Sequence, residues 1–390
     1  MTVESSSKTE GGGRLRLGMV GGGQGAFIGA VHRIAARLDD RYEFVAGALS
    51  SDAKRAVDSA LELGLSKDRA YADFKAMAKG EASRDDGIDA VAIVTPNHLH
   101  FPVAMAFIES GIHVICDKPL VTNSADARAL IEVVQERDVL FAVTYNYSGY
   151  PMIRQAREMV ASGEIGTVRV IQVEYPQDWL STRLEDSGQK QASWRTDPNQ
   201  AGPGGCIGDI GTHAFHLASY VTGLVPDSLC ADLHTFIEGR PLDDNVQVLL
   251  RYKGGARGML WASQVAPGNE NALKLRVYGA KGGIEWCQED PNCLWYTPLG
   301  EPKRLLTRGG SGATDPGTRV TRIPAGHPEG YLEGFANLYT EFADAITAKK
   351  EGKGLDSAVQ YPDLEAGLAG VHFIEAALES ARRDGERVKL

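Results

Sequence analysis

Residues 14–32, RLRLGMVGGGQGAFIGAVH, decide the fold of the first part of the chain. The apolar run over residues 14–20 ends at three glycines and predicts a buried strand, and helical apolar spacing follows over residues 26–38. Glycines between a strand and a helix let a pyrophosphate approach the backbone, and the helix N-terminus offers free N–H groups. A dinucleotide-binding turn is therefore predicted, the alternative being a tight turn without a ligand. Gly21 and Gly23 fit the first two fingerprint positions and Ala26 the third, with Gly25 and Gly29 in a lengthened loop.

Strands and helices alternate over the residues that follow. Strands are predicted over residues 42–49, 88–94, 113–116 and 140–144, and helices over residues 53–63, 101–110 and 124–137. This alternation indicates βαβ units and a parallel sheet with helices on both faces. We expect an α/β Rossmann dinucleotide-binding domain over residues 14–147, preceded by a disordered tail over residues 1–13.

The pattern changes near Tyr150. Extended segments dominate from residue 168 on, at residues 168–175, 244–252, 258–265 and 273–279, and glycine-rich turns connect them. This arrangement predicts a large open antiparallel sheet, and hence a second, α+β domain over residues 148–390 for substrate binding and oligomerisation. Residues 300–326 are rich in Gly, Thr and Pro and predict a long loop or flap. Helices over residues 332–349 and 363–384 close the chain and could pack back on the first domain.

Composition narrows the class of protein. The 390 residues are 43% hydrophobic and 24% charged, with a net charge of −10 and no basic run, which argues against a nucleic-acid partner. No apolar run approaches the roughly 20 residues that span a bilayer, which argues against a membrane protein. The five cysteines are scattered without a C-x-x-C pair. We therefore expect a cytoplasmic protein without a disulfide framework or a metal site.

Several motifs end at the same predicted edge of the parallel sheet. Ligands of such sheets bind outside the carboxyl ends of the strands, where TPNHLH (95–100) and Asp117-Lys118-Pro119 follow predicted strands. A turn or helix cap is the alternative for TPNHLH. After the second strand, Ser50, Ser51, Lys54 and Arg55 favour a 2′-phosphate, whereas Asp52 could bind a ribose or cap a helix. NAD and NADP both remain open.

A third motif, GGCIGDIGTHAFH (204–216), supplies candidate proton-transfer groups. Asp209 and His213 are four apart, so a helix would stack them on one face, where an acid and an imidazole can share a proton. Lys118 projects into the same crevice, where its ammonium could polarise a carbonyl or alkoxide.

The order GGGQGAFIG, TPNHLH, DKP, WRTDP, GGxxxDxGTH resembles the Gfo/Idh/MocA family of NAD(P)-dependent sugar and polyol oxidoreductases. VYGAKGGIEW (277–286) also looks like a sheet motif of that family. The family usually has Glu where Asp117 stands and an acid where His216 stands. The resemblance implies that Lys118 holds the reacting hydroxyl, that His213 is the general base, and that Asp209 binds a neighbouring hydroxyl and orients His213.

The polar, aromatic segment over residues 177–198 precedes these groups and is expected to lie over the nicotinamide, although its tryptophans could simply anchor a surface loop. Arg183, Lys190 and Arg195 make an anionic sugar conceivable. The candidate substrate-binding residues are Lys118, Tyr145, Tyr147, Trp179, Arg183, Arg195, Asp209 and His213. The candidate cofactor-binding residues are Gly21, Gly23, Gln24, Gly25, Ala26, Phe27, Ile28, Ser50, Ser51, Arg55, Thr95, Pro96, Asn97, His98, His100, Asp117, Lys118, Asn146, Trp194 and Arg195.

The expected activity is metal-free, NAD(P)-dependent hydride transfer to and from a secondary hydroxyl of a sugar, glycoside or cyclic polyol. One alternative is a glycosidase on the same fold, in which NAD oxidises a ring hydroxyl transiently. It would need an extra base, for which Tyr145, His216 or a residue of the 177–198 loop could serve. Another is a non-catalytic dinucleotide sensor. The resemblance also implies a homodimer or homotetramer.

Overall fold

The computed structural model describes residues 13–390, so residues 1–12 of the expected tail lie outside the described part. A parallel five-stranded sheet forms first, with the order β2-β1-β3-β4-β5. Its strands are β1 Leu15–Gly21, β2 Tyr42–Ala48, β3 Ala90–Val94, β4 His113–Cys116 and β5 Phe141–Val143. The helices that connect them are α1 Phe27–Leu38, α2 Ala53–Glu62, α3 Phe74–Ala82, α4 His100–Glu109 and α5 Ser124–Arg137.

Both faces of this sheet are covered, as its apolar strands require. In β3, Val91 and Ile93 join one core cluster, whereas Ala90, Ala92 and Val94 join another, because successive side chains point to opposite faces. The strand order reverses between β1 and β3. A crevice therefore opens at the carboxyl ends of these two strands, where ligands of doubly wound sheets bind.

The second sheet has nine strands in the order β13-β12-β11-β10-β6-β9-β8-β7-β14. It is antiparallel except for the parallel pair β6 and β9, so the antiparallel prediction is confirmed with one exception. Its strands are β6 Val168–Pro176, β7 Pro226–His234, β8 Asn245–Tyr252, β9 Arg257–Ser263, β10 Lys274–Gly279, β11 Gly282–Cys287, β12 Cys293–Pro298, β13 Arg304–Thr307 and β14 Val388–Lys389.

Helices cover one face of the second sheet and leave the other face open. Val246, Val248 and Leu250 of β8 are buried under the helices, whereas Leu249 between them is 54% exposed. The remaining helices are α6 Pro151–Ala161, α7 Lys190–Arg195, α8 Pro198–Ala201, α9 Thr212–Thr222, α10 Asp315–Arg319, α11 Tyr331–Lys350 and α12 Leu364–Arg382. A π-helical turn, Ile207–Gly211, leads directly into α9.

The long helix α11 packs against the first sheet. Phe335, Tyr339 and Phe342 share a core cluster with Leu17 and Met19 of β1. The buried ring of His32 in α1 is hydrogen-bonded through Nδ1 to the Tyr339 hydroxyl at 2.8 Å. The last part of the chain therefore helps to hold the sheet that carries the glycine-rich turn.

The predicted loop over residues 300–326 is not wholly irregular. It contains β13, which pairs with β12, and the short helix α10. Both elements are too short for a periodic apolar pattern to reveal them. Within residues 13–390, no helix is both long and apolar enough to cross a membrane.

Candidate active site

The glycine-rich turn after β1 is packed too closely for side chains. Gly21 and Gly22 have positive φ angles of 81° and 71°, and a Cβ on Gly23 would lie 2.6 Å from the Leu49 carbonyl oxygen. Gly29 lies inside α1, where a Cβ would come within 2.4 Å of Gly22 Cα. The expectation that Gly29 lies in a lengthened loop, with Ala26 in its place, is wrong. Gly29 is the glycine that lets the helix pack on the turn.

The N-terminus of α1 is open to a ligand. Ala26 precedes the helix without a side-chain cap, and the first turn has no acidic residue. Gly25 faces open space, and Phe27 beside it is 64% exposed. Free N–H groups and the positive end of the helix dipole in such a position fit a pyrophosphate. Gln24 borders the turn, donating from its amide to Glu62 at 2.7 Å.

At the end of β2, Asp52 acts as a helix cap. Its Oδ1 accepts the Arg55 backbone N–H at 2.7 Å, and its own N–H donates to Ser50 Oγ at 3.2 Å. Lys54 pairs with Asp58 at 2.7 Å, whereas Ser51 and Arg55 are exposed. The geometry therefore supports the capping alternative for Asp52 and leaves the choice between NAD and NADP open.

TPNHLH ties the first sheet to the segment before α9. Asn97 Nδ2 donates to the Ala201 carbonyl at 2.8 Å, and His98 Nδ1 lies 3.3 Å from the Gln200 carbonyl. The buried ring of His100 bridges the Thr95 and Pro119 carbonyls, at 3.0 and 2.8 Å. The motif thus uses side-chain nitrogens of Asn97, His98 and His100 in contacts with backbone carbonyls, and these contacts fix the shape of the crevice.

Lys118 follows β4 and meets Asp209 across the crevice. The Lys118 backbone N–H and the Thr144 hydroxyl both donate to Asp117 Oδ1 at 2.9 Å, which fixes the turn. Lys118 Nζ donates to the Asp209 backbone oxygen at 2.6 Å and to its Oδ1 at 2.9 Å. The two side chains are 12% and 17% exposed, so the pair is largely shielded from water.

The Asp209 carboxylate accepts hydrogen bonds from three side chains. Besides Lys118, Arg195 Nε and Gln264 Nε2 donate to its Oδ2, at 3.2 and 2.8 Å. Burial by itself raises the pKa of this carboxyl, but the charges of Lys118 and Arg195 hold the pKa of Asp209 well below its usual range. Asp209 is therefore an anion in the folded protein, and its carboxylate oxygens accept hydrogen bonds from both cations.

His213 lies beside Asp209 without bonding to it. Within the described residues its buried Nδ1 has no hydrogen-bond partner, and the Asp209 oxygens are taken by other donors. The expected direct orientation of His213 by Asp209 is thus not a hydrogen bond. Burial, and then the charge of Lys118, lower the pKa of His213 well below its usual value, so the ring is neutral near pH 7.

Two tyrosine rings pack against the ring of His213. Tyr147 makes an edge contact with it at 4.9 Å between centroids, and Tyr145 one at 5.9 Å. Tyr145 is completely buried, its hydroxyl is bonded to Thr212 Oγ1 at 2.9 Å, and its ring stacks on His216 at 4.1 Å. The Tyr145 ring therefore contacts both His213 and His216, and its hydroxyl already has a partner.

Part of the site wall comes from residues without an individual sequence signal. Tyr175 Oη and Gln177 Nε2 both donate to Asn271 Oδ1 at 2.7 Å, and Tyr175 is also hydrogen-bonded to the Tyr147 hydroxyl. Gln264 binds Asp209 directly. Tyr175 lies in β6, Gln177 and Gln264 follow β6 and β9, and Asn271 precedes β10. None of them belongs to a local motif, so they meet only when the sheet brings these strands together.

Residues of the 177–198 segment make two separate sets of contacts. Arg195 binds Asp209 and packs over Trp194 at 4.3 Å and Trp179 at 5.9 Å. Arg183 instead pairs with Asp186 at 2.6 Å and donates to the Glu238 carbonyl. The structure therefore brings Trp179, Trp194 and Arg195 together beside Asp209 but gives Arg183 other partners.

Buried polar atoms along the crevice fit a cofactor. Thr95 Oγ1 and Asn146 Nδ2 are buried and lack a hydrogen-bond partner within residues 13–390. Such groups are costly unless a ligand or water satisfies them. Together with the open N-terminus of α1, they fit a dinucleotide that runs from the glycine-rich turn toward Lys118.

Comparisons with known proteins agree with this geometry. Residues 15–145 match the model of the oxidoreductase family with an NAD-binding Rossmann fold, and residues 153–285 match that of the GFO/IDH/MocA C-terminal domain. Both halves of the site therefore lie within family models.

Solved structures and a curated relative cover most of the chain. An oxidoreductase from Sinorhizobium meliloti is 56% identical, with a TM-score of 0.87 over 96% of this chain and 99% of that one. An inositol dehydrogenase homologue from Azotobacter vinelandii, complexed with NADH and myo-inositol, is 37% identical, with a TM-score of 0.91 over 97% and 98%. Levoglucosan dehydrogenase of Pseudarthrobacter phenanthrenivorans is 28% identical over 69% of this chain and 73% of its own.

Proposed function

The chain belongs to the Gfo/Idh/MocA family of NAD-binding oxidoreductases, and on this premise we propose that it oxidises a secondary hydroxyl of a sugar, glycoside or cyclic polyol, reversibly and without a metal. Bound NAD or NADP would supply the hydride acceptor. The relatives that bind myo-inositol or act on levoglucosan support this substrate class.

The observation that carries the proposal is the convergence of Lys118, Asp209 and His213 beside the crevice. Neutral His213 is suited to take the hydroxyl proton through Nε2, because burial keeps it unprotonated until substrate arrives. The Lys118 ammonium would donate to the reacting oxygen and stabilise negative charge that develops there. Asp209 would accept from a neighbouring hydroxyl while it holds Lys118 and Arg195 in place.

The charges near these groups favour an uncharged substrate over an anionic one. Lys118 and Arg195 are already neutralised in part by Asp209, and Arg183 pairs with Asp186. Asn271, Gln177 and the tyrosine hydroxyls offer neutral donors and acceptors that suit sugar hydroxyls.

Of the alternatives, the glycosidase is supported less well. Tyr145, one of its candidate bases, is fully buried, with its hydroxyl bonded to Thr212 and its ring stacked on His216. A sensor would have no use for an assembled proton-transfer set.

The test is incubation of the purified protein with a panel of cyclic polyols, sugars and aryl glycosides, each with NAD and with NADP. The expected result is reduced cofactor in stoichiometric amount with a keto product. Released aglycone without net reduction would replace the dehydrogenase with the glycosidase. Cofactor binding without turnover of any compound would favour the sensor.

We also propose that the open face of the second sheet binds a second copy of this chain. Leu249, Met259, Trp295 and Leu305 are 54, 44, 41 and 45% exposed on it, although apolar sheet faces normally need cover. Sedimentation should give a dimer or tetramer, and the double variant Leu249→Lys, Met259→Lys should shift it toward monomer. A monomeric parent protein would contradict the proposal.

A further inference from the structure

Lys190, the first residue of α7, reaches across the crevice to the glycine-rich turn. Its Nζ lies 3.4 Å from the Gln24 carbonyl oxygen. No carboxylate within residues 13–390 lies within 4.0 Å of this ammonium. The Lys190 ammonium is therefore a cation without an anionic partner, directly beside the turn that precedes α1.

The electrostatic environment of this turn is unfavourable for an unpaired cation. The N-terminus of α1 carries the positive end of the helix dipole, and it has neither a side-chain cap nor an acidic residue in its first turn. A second positive charge beside it is unfavourable unless an anion lies between the two. The open space at Gly25 is where such an anion would fit.

The same short helix also reaches the proton-transfer groups. Arg195, the last residue of α7, donates to Asp209 Oδ2 at 3.2 Å. Six helical residues span about 9 Å. α7 therefore connects the glycine-rich turn at one end with Asp209 at the other, along the direction in which an extended dinucleotide would lie.

We propose that Lys190 is a cofactor-binding residue whose ammonium pairs with the pyrophosphate of the bound dinucleotide. This inference rests on the proposed function for the presence of that dinucleotide. The 2′-phosphate of NADP would lie elsewhere, near Ser51 and Arg55 at the end of β2, so Lys190 acts equally on NAD and NADP. By closing on the pyrophosphate, Lys190 holds α7, and with it Arg195, over the crevice.

The test measures the binding of ADP-ribose, which carries the pyrophosphate but no nicotinamide, by isothermal titration calorimetry at several salt concentrations. Lys190→Gln should bind ADP-ribose about tenfold more weakly and with a shallower salt dependence, because one charge-assisted contact is lost. Lys190→Arg should bind close to the parent protein. Lys253→Gln, which removes an exposed lysine without a carboxylate partner among the described residues, in the turn between β8 and β9, is the matched control and should leave binding unchanged.

These measurements distinguish a failure of the Lys190 inference from a failure of the proposed function. If Lys190→Gln binds ADP-ribose as tightly as the parent protein, or Lys190→Arg is as weak as Lys190→Gln, the ammonium is not a pyrophosphate ligand and the proposed oxidoreductase is untouched. If the parent protein itself binds no ADP-ribose, both this inference and the cofactor in the proposed function are overturned. Lys190 is exposed, so thermal unfolding of the unliganded variants should match that of the parent.

Discussion

At the scale of single residues, the site places a charged carboxylate beside a neutral imidazole. Asp209 stays ionised because Lys118 and Arg195 surround it, whereas His213 stays neutral because it is buried and faces Lys118. These opposite effects on two neighbouring groups make the imidazole the proton acceptor near pH 7 in the proposed mechanism. Tyr145 and Tyr147 hold the ring by edge contacts, so its orientation depends on packing rather than on a hydrogen bond to Asp209.

Replacement of His213 by Gln should therefore remove the proton acceptor while keeping a polar side chain of similar size. We expect kcat for polyol oxidation to fall about 10²–10⁴-fold, the usual contribution of general-base catalysis. The affinity for NAD, measured by calorimetry, should change little. His372→Gln, on α12 with its ring bonded to Arg128, is the control. Equal kcat values in the two variants would remove His213 from the proposed mechanism.

The lowered pKa of His213 also predicts the pH profile. Neutral His213 is the active form for oxidation, and its pKa lies well below 6.5, so the active form persists as the pH falls through 6.5. kcat/KM at saturating cofactor should therefore show no His213 midpoint near pH 6.5 and should decline only in more acid solution. A midpoint close to 6.5 that disappears in His213→Gln would contradict this expectation.

At the scale of elements, sequence periodicity predicted the first sheet well. The bounds of β4 and α5 match the predictions over residues 113–116 and 124–137, because each is an apolar or amphipathic run between clear turn signals. Contacts between distant elements were not predictable in this way. Gln264 meets Asp209, and Asn271 meets Tyr175, only after the sheet has formed.

The contact between α1 and the glycine-rich turn is one such case, and it can be tested. Gly29→Ala would place a Cβ 2.4 Å from Gly22 Cα, so α1 must move away from the turn. We expect a loss of about 1–3 kcal/mol in the free energy of unfolding, as for other overpacked sites, together with weaker NAD binding.

Urea unfolding and NAD titration would measure both effects. Gly354→Ala is the matched control, because Gly354 has no positive φ and a Cβ there would meet nothing within 4 Å. Gly29→Ala with parent-like stability and NAD affinity would show that α1 does not need this close approach.

At the scale of the whole molecule, buried and partly buried histidines make the stability of the fold depend on pH. His32 lies between α1 and α11, His113 begins β4, and His216 packs between Tyr145 and Tyr220. Burial is the main cause that lowers the pKa of His32 and of His113 to about 4, and that of His216 to about 3. Each of these rings is therefore neutral in the folded protein over a range in which the unfolded chain is protonated.

The sign of the effect on stability follows from proton binding. Between the unfolded pKa of 6.5 and the folded values near 4 and 3, the unfolded state binds more protons, so the free energy of unfolding rises with pH. The stabilisation is complete above pH 6.5 and is lost as the pH falls through that window, by up to about 1.4 kcal/mol per histidine and pH unit.

Urea unfolding at pH 7, 6 and 5 should show this decline. His216→Phe keeps a ring against Tyr145 but cannot titrate, so its decline should be shallower by one histidine. Parallel curves for the parent and His216→Phe would mean that protonation of His216 is not coupled to folding, and that its burial against Tyr145 and Tyr220 leaves its pKa unshifted.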